Sequence, residues 1–387
     1  MDQTEQAPSL LRKLARRMMG PQASPEAAPG MHYAPADVAN ALYLGILGRA
    51  PDQNGLRNVT GQLEAGTPVE AVAQALIGSS EFVSQITRQL FPPNQLPNLL
   101  ELFPDRYEQQ TSPAGEPMVL YKADSDADFD FLEHAILHHR YYDGFGVWGA
   151  KIDLDKQITA ALVQGLGAKS CLELGCFTGA VLSVLEQAGV DVTGLDVSHV
   201  AFVLAYPNIK NRMLFGDLLT SGLQRRFDVV LAMDIIEHLN PVKFGQYIDA
   251  IAALVAQDGY FYINSPMIGA DDVFGEVFER YVDEWQATGD ATCWRRLDCD
   301  AAGWPKHGHL VWASPAWWER QFAVRGLVRD REVERGIHAR LAPFFADNPA
   351  RKCLFVLKHE GNTRNAAEVI ESINAALDRV PDLNSQA

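Results

Sequence analysis

Side chains able to move protons or hold ions gather in two short stretches of this 387-residue chain: Asp234, Glu237 and His238 in "MDIIEHL", and His307 and His309 in "KHGHL". A histidine within hydrogen-bond reach of a hydroxyl takes its proton as the oxygen forms a new bond. His238, His307 and His309, together with Asp234, are therefore the candidate catalytic residues. The same mix of carboxylate and imidazole suits a divalent ion that activates a hydroxyl. "EHL" after a strand also serves as plain packing at a helix start, and no metal is assigned.

A third stretch, "LELGCFTGAVLSVLEQAGVDVTGLDVS", runs from Leu172 to Ser198. An apolar strand ends in a turn flanked by Gly175 and Gly179, a helix follows, and Asp196 closes the next strand 17 residues after Gly179. In a doubly wound sheet such a turn lets backbone approach a ligand, and a carboxylate so placed accepts both hydroxyls of a ribose. A dinucleotide loop needs glycines where this chain has Gly175, Phe177 and Ala180, so two of the three positions are wrong. An adenosyl ligand has no pyrophosphate to seat, and Glu173 suits a positive amino group at its other end.

With "LFGDL" and "FDVVLAMDIIEHL" following in order, these stretches resemble the motifs of the class I S-adenosylmethionine-dependent methyltransferases, over roughly Ser170 to Pro266 and more weakly to Lys358. The resemblance implies S-adenosyl-L-methionine as cofactor. It places Glu173, Gly175 and Gly179 at the methionine end, with Cys176 and Phe177 in the same turn, and Asp196 with Val197 at the ribose. Gly216, Asp217 and Leu218 would frame the adenine, and Met233 and Asp234 would lie beside the sulfonium. Phe177 departs from the pattern, since many relatives have glycine there.

The elements that must hold these residues alternate helix and short apolar strand from Phe131 onward, the sign of a parallel sheet covered on both faces. Strands are expected at Ser170 to Leu174, Val190 to Asp196, Arg212 to Phe215, Phe227 to Met233, Tyr260 to Asn264 and Lys352 to Lys358. Gly259 reads as the stop of the helix before Tyr260. The fold class is α/β: a doubly wound, mostly parallel, seven-stranded Rossmann-like sheet preceded by a small all-α domain.

The expected organisation is a tail at 1–30 with a short basic helix, a helical module at 31–90, and a connection at 91–128 broken by prolines. The methyltransferase domain follows at 129–360 with a cap insertion at 266–310, then a C-terminal helix at 361–387. The module, with Tyr43, Leu47, Gly48, Arg49, Pro51, Asp52, Gly55 and Leu56 and then Ser80, Glu81 and Phe82, resembles a small bacterial helical domain of unknown function. Such modules occur in cell-surface proteins and beside glycan-processing enzymes. The plainer role for Arg49 and Asp52 is to cap and pair across a helix-helix turn.

A net charge of −16 argues against nucleic acid as the main partner. No stretch reaches the roughly 20 apolar residues of a membrane span, though the basic segment "SLLRKLARRMMG" leaves peripheral membrane contact open. Cys171, Cys176, Cys293, Cys299 and Cys353 lack paired spacing and fit a reducing cytoplasm. The apolar stripe of the last helix packs on its own domain or, alternatively, makes a homodimer contact. The insertion is rich in aromatic residues, with Tyr281, Trp285, Trp294, Trp304 and Trp312 near Arg295 and Arg296, which suits sugar rings; core packing is the alternative. Tyr141, Tyr142 and Trp148 stand where a lid would close.

The expected function is methylation of a sugar hydroxyl in a nucleotide-sugar, surface polysaccharide or related glycan. The alternatives are a small-molecule O- or N-methyltransferase of secondary metabolism, and a methyltransferase fold that has lost turnover and serves as a scaffold.

Overall fold

The computed structural model describes residues 33–77, 79, 81–82, 96–144 and 151–383. They belong to two compact units, Met1–Ile86 and Thr87–Ala387. The expected basic helix of the tail, and Trp148, lie outside the described residues.

In the first unit, helix α1 (Pro35–Leu42) runs on through a wider turn at Tyr43–Leu47 and stops at Gly48, whose φ of 66° suits glycine. Asp52 then caps α2 (Gln53–Glu64) by accepting the Gly55 N–H at 2.7 Å. Helix α3 (Val69–Ile77) completes a core of Ala39, Tyr43, Leu47, Val59, Val72 and Leu76. A Cβ on Gly55 would sit 2.3 Å from the Tyr43 hydroxyl oxygen, so glycine there makes room for the tyrosine. Arg49 forks onto Glu81 at 2.5 and 2.7 Å. The motif of this module thus builds the module itself.

The second unit opens with strands inside the expected connection: β1 (Tyr107–Thr111) pairs antiparallel with β2 (Pro117–Lys122). The prolines do not prevent this, because Pro104 precedes the hairpin, Pro113 lies in its turn and Pro117 is the first strand residue, where no inner N–H is lost. Helix α4 (Asp126–His138) follows, started by a capping box between Ser125 and Asp128. Next come α5 (Leu154–Gly165), β3 (Ser170–Leu174), α6 (Ala180–Gln187), β4 (Asp191–Asp196), α7 (His199–Val203), β5 (Met213–Phe215) and β6 (Phe227–Met233). Helix α8 (Phe244–Leu254) leads directly into β7 (Val255–Asn264). Gly259 is therefore not a helix stop. It lies in β7 at a register irregularity, where a Cβ would come within 2.7 Å of the Asp228 carbonyl oxygen.

The expected insertion holds a small hairpin, β8 (Ala270–Asp271) with β9 (Gly275–Glu276), then α9 (Asp283–Thr288) and β10 (Arg296–Cys299). Strand β10 pairs with β2, so the insertion and the 107–122 hairpin form one three-stranded sheet. The cap is thus composite. Its core buries Trp285, Trp294 and Trp304 with Tyr121, Phe129 and Leu132. Those three indoles are 0–1% exposed and face no sugar, which corrects the glycan-stacking expectation for them.

Helix α10 (Pro315–Ala323), β11 (Leu327–Arg329), α11 (Arg331–Arg340), α12 (Ala342–Asp347), β12 (Leu354–His359) and α13 (Ala366–Leu377) finish the chain. Trp317 and Trp318 of α10 are buried against the sheet, as packing requires. Seven strands in the order β11-β12-β7-β6-β3-β4-β5 make the main sheet; β3, β4, β5, β6 and β7 run parallel, while β7–β12 and β12–β11 are antiparallel. The apolar runs of β3, β6 and β12 are buried on both faces between two side-chain clusters. The stripe of α13, including Val369, Ile373 and Leu377, lies in the first of these clusters beside α5, and a Cβ on Gly165 would fall 2.4 Å from the Ile373 Cα. This apolar stripe is covered by its own domain rather than left for a dimer.

Candidate functional site

Strand order reverses at β3, with β4 on one side and β6 on the other, and ligands of such sheets sit beyond the carboxyl ends at that switch. Register aligns Leu174 with Leu195 and with Ala232, so Gly175, Asp196 and Met233 emerge at one level. A cavity of about 870 Å³ opens there.

The turn after β3 is fixed by backbone chemistry. Gly175 has φ 64°, and a Cβ there would meet Ile235 Cδ1 at 1.9 Å. Phe177 takes φ 43°, a left-handed conformation that side chains rarely adopt, which explains why glycine serves relatives at this position. Its N–H donates to Asp196 at 2.8 Å, and the Ser198 N–H donates to the other oxygen at 2.7 Å. Gly179, at φ 71°, starts α6 and packs on Ile209; unlike its neighbours it does not line the cavity. Cys176, Phe177, Val197, Gly216, Asp217, Leu218, Met233 and Asp234 all do. Asp217 accepts from the Tyr247 hydroxyl of α8 at 2.6 Å and from the Leu219 N–H at 2.8 Å.

Glu173 is 5% exposed, and its Oε2 has no hydrogen-bond partner. Burial pushes its carboxyl up to about 8, with Asp196 adding to the rise and Lys156 opposing it. Burial also raises Asp196, against the N–H donors of Ser198 and Phe177. The cavity therefore contains carboxyl groups short of positive charge.

Asp234 leaves β6 with φ 53°, and its carboxylate is gripped by Arg351 at 2.6 Å. Arg351 also holds Asn264 at 2.8 Å and Asp155 at 3.0 Å. So Asp234 is a paired side chain rather than a free base. Lys156, one residue beyond Asp155 on α5, also lines the cavity; among the described residues it and Arg351 are the only Lys or Arg that do.

Beyond Asp234 the three histidines meet. His238 Nδ1 lies 3.2 Å from the Gly308 carbonyl oxygen and 3.3 Å from the Tyr142 hydroxyl. A carbonyl only accepts, so it selects the tautomer protonated at Nδ1 and leaves Nε2 as the basic atom. The rings of His238 and His309 are 4.9 Å apart, and those of His307 and His309 5.4 Å. Burial lowers His238 to about 4 and His309 well below its usual value, so both are neutral near pH 7. His307 takes φ 59° in the turn that aims Gly308 inward, and a Cβ on Gly308 would strike the Tyr142 ring at 2.9 Å. Glu237, fully buried, accepts from the Ser265 hydroxyl at 2.9 Å and lies 3.9 Å from His309 Nε2. Atoms of Glu237, His238 and His309 lie within 4.8 Å of one another, close enough for one ion.

Residues 151–328 match the methyltransferase domain family, and residues 19–86 match the domain of unknown function DUF4214. Two curated relatives are ubiquinone biosynthesis O-methyltransferases. That of Bradyrhizobium diazoefficiens is 28% identical over 105 residues, 26% of this chain and 41% of that protein. That of Pseudomonas fluorescens Pf-5 is 28% identical over 82 residues, 19% of this chain and 35% of that protein. The chain thus spans less than half the length of these two relatives. Among solved structures, the 1,6-didemethyltoxoflavin-N1-methyltransferase of Burkholderia thailandensis is 16% identical, with a TM-score of 0.40 over 65% of this chain and 96% of that one. An amino pentose methyltransferase from Micromonospora echinaspora is 18% identical, with a TM-score of 0.36 over 58% and 96%.

Proposed function

We propose that this S-adenosylmethionine-dependent methyltransferase, with its methyltransferase domain at residues 151–328 behind a DUF4214 domain at 19–86, methylates a hydroxyl of a sugar in a small-molecule or glycan acceptor. One observation carries this: a single cavity joins the ribose-suited acid Asp196 to the neutral pair His238 and His309. The residues present fit the cofactor. The unpartnered Glu173 oxygen would meet an ammonium group, and Asp196 lines the same cavity where it could accept ribose hydroxyls.

When bound, S-adenosylmethionine supplies a methyl carbon on a cationic sulfur, and the chain supplies position and proton transfer. Asp196 would take the ribose hydroxyls, Asp217 with Gly216 and Leu218 would take the adenine edge, and Lys156 and Arg351 would meet the carboxylate. Met233 and the Arg351-clamped Asp234 shape the floor between the two halves. Nε2 of His238, or His309 beside it, accepts the hydroxyl proton, with Glu237 3.9 Å from His309 Nε2. An oxygen acceptor agrees with the O-methyl transfer named for the ubiquinone-biosynthesis relatives. The five unpaired cysteines suit work in a reducing cytoplasm.

Calorimetry with S-adenosylmethionine and S-adenosylhomocysteine is the test. Both bind, and Asp196→Ala binds neither; failure of the wild-type chain to bind either would make the domain a scaffold. A divalent ion at Glu237, His238 and His309 is a second mode of activating the hydroxyl, favoured by their closeness. Activity unchanged after EDTA dialysis would dismiss it.

A further inference from the structure

Three polar atoms at the acceptor end of the cavity are buried without a hydrogen-bond partner: Glu237 Oε1, His309 Nδ1 and Trp312 Nε1. Their residues are 0%, 8% and 7% exposed, and all three line the cavity. Buried polar groups are left unpaired in folded proteins only where something else completes them. The three differ in kind. The indole N–H only donates, a carboxyl oxygen accepts or, when it carries the proton, donates, and an imidazole nitrogen does either according to tautomer. They are also close: the His309 and Trp312 rings are 5.1 Å apart, and His309 Nε2 is 3.9 Å from Glu237 Oε1.

A hydroxyl is a small neutral group that donates and accepts together, which is what this mixed set of atoms calls for. The reacting hydroxyl must already face His238 or His309, so a second hydroxyl beside it is what completes the other atoms. Charge narrows the choice further. Among the described residues the cavity's only Lys and Arg are already engaged, Arg351 on Asp234 and Asp155 and Lys156 beside Asp155 at 3.3 Å. Glu237 lies beside His309 at the acceptor end. A phosphate or carboxylate brought there would be buried next to a carboxyl group, with no unengaged Lys or Arg of the cavity, among the described residues, to meet it.

We infer that the acceptor is an uncharged vicinal diol seated on Glu237, His309 and Trp312, with one hydroxyl presented for methylation and its neighbour held by these three side chains. This rests on the hydroxyl-methylating function proposed above. A sugar ring without phosphate or carboxylate is one source of such a diol and a catechol is another. On this inference a nucleotide-sugar, which carries a diphosphate, is the poorest fit among the acceptors expected from the sequence.

The test uses the full chain with S-adenosylmethionine, reading release of S-adenosylhomocysteine. One arm offers methyl glycosides of glucose, mannose and rhamnose, a second 4-methylcatechol, and a third glucose 1-phosphate, glucuronic acid and UDP-glucose. Turnover in the first arm identifies a sugar source and turnover in the second a catechol. In either case the deoxy or monohydroxy analogue lacking the neighbouring hydroxyl is at least tenfold poorer. Trp312→Phe, which keeps the ring and removes the donor, raises the acceptor KM about tenfold with little change in kcat. Saturation-transfer NMR on the S-adenosylhomocysteine-loaded protein reports acceptor binding without turnover and loses its signal in the same variant. Equal or better turnover in the third arm overturns the inference. So does a protein that binds S-adenosylmethionine yet methylates nothing in the first two arms. A protein that binds neither cofactor form fails the underlying function instead, and the two failures are told apart by calorimetry alone.

Discussion

Substituting Glu173 by glutamine separates stability from cofactor binding. The carboxyl sits at about 8 because it is buried, and its Oε2 has no partner. At pH 7 such a group is about nine-tenths protonated, whereas beside an ammonium group it returns toward the ordinary glutamate range near ~4.3. Cofactor binding at pH 7 should therefore release close to one proton, ~0.9 by that arithmetic. Calorimetry in two buffers of different ionisation enthalpy measures it, since the apparent binding heat shifts by that number times the difference. The stability effect has the opposite sign from that of most acids. A carboxyl whose folded value lies above its unfolded value stabilises the fold fully below pH ~4.3, and this is lost as pH rises through 8. The full swing is on the order of 3 to 5 kcal/mol. Glu173→Gln removes it, so the gap between variant and wild-type melting widens from pH 4 to pH 9, where the variant melts several degrees higher. It nevertheless binds S-adenosylmethionine about 10- to 100-fold more weakly, as loss of a charge-assisted hydrogen bond requires. Binding without proton release, or equal affinity in the variant, would refute the assignment of Glu173 to the ammonium end.

Two further outcomes are accessible to melting and calorimetry. Gly175→Ala forces a Cβ to within 1.9 Å of Ile235 Cδ1 at φ 64°, and should cost about 2 to 4 kcal/mol and abolish cofactor binding; wild-type behaviour would show that the turn is slack. Arg351→Met leaves Asp234 without its cation and Asp155 with Lys156 alone, for a loss of about 1 to 2 kcal/mol and weaker cofactor binding, and Arg351→Lys restores only part because one ammonium cannot replace the guanidinium fork.

The sheet was legible where burial writes itself into the sequence. The apolar run of β6 matched its expected bounds from Phe227 to Met233, and the acid closing β4 stood where the glycine turn required it. Strands β1 and β2 escaped because their partner β10 is remote in sequence, and the intervening prolines sit at tolerated positions. The three residues of β11 are too few to carry a period. In the site, the turn after β3 was readable because its residues are neighbours in sequence. Arg351 was not, since it reaches Asp234 from a short turn far along the chain and no local motif marks it. The cap tryptophans misled for a different reason: an indole suits a sugar face and a dry interior equally, and only packing decides.

Among the described residues the only strand that β10 pairs with is β2, which is made more than a hundred residues earlier. Grafting residues 266–310 alone onto a relative would leave that strand with an unmatched edge and its indoles without their opposing wall. Exchanging this part of the molecule therefore means moving two separate pieces of chain together.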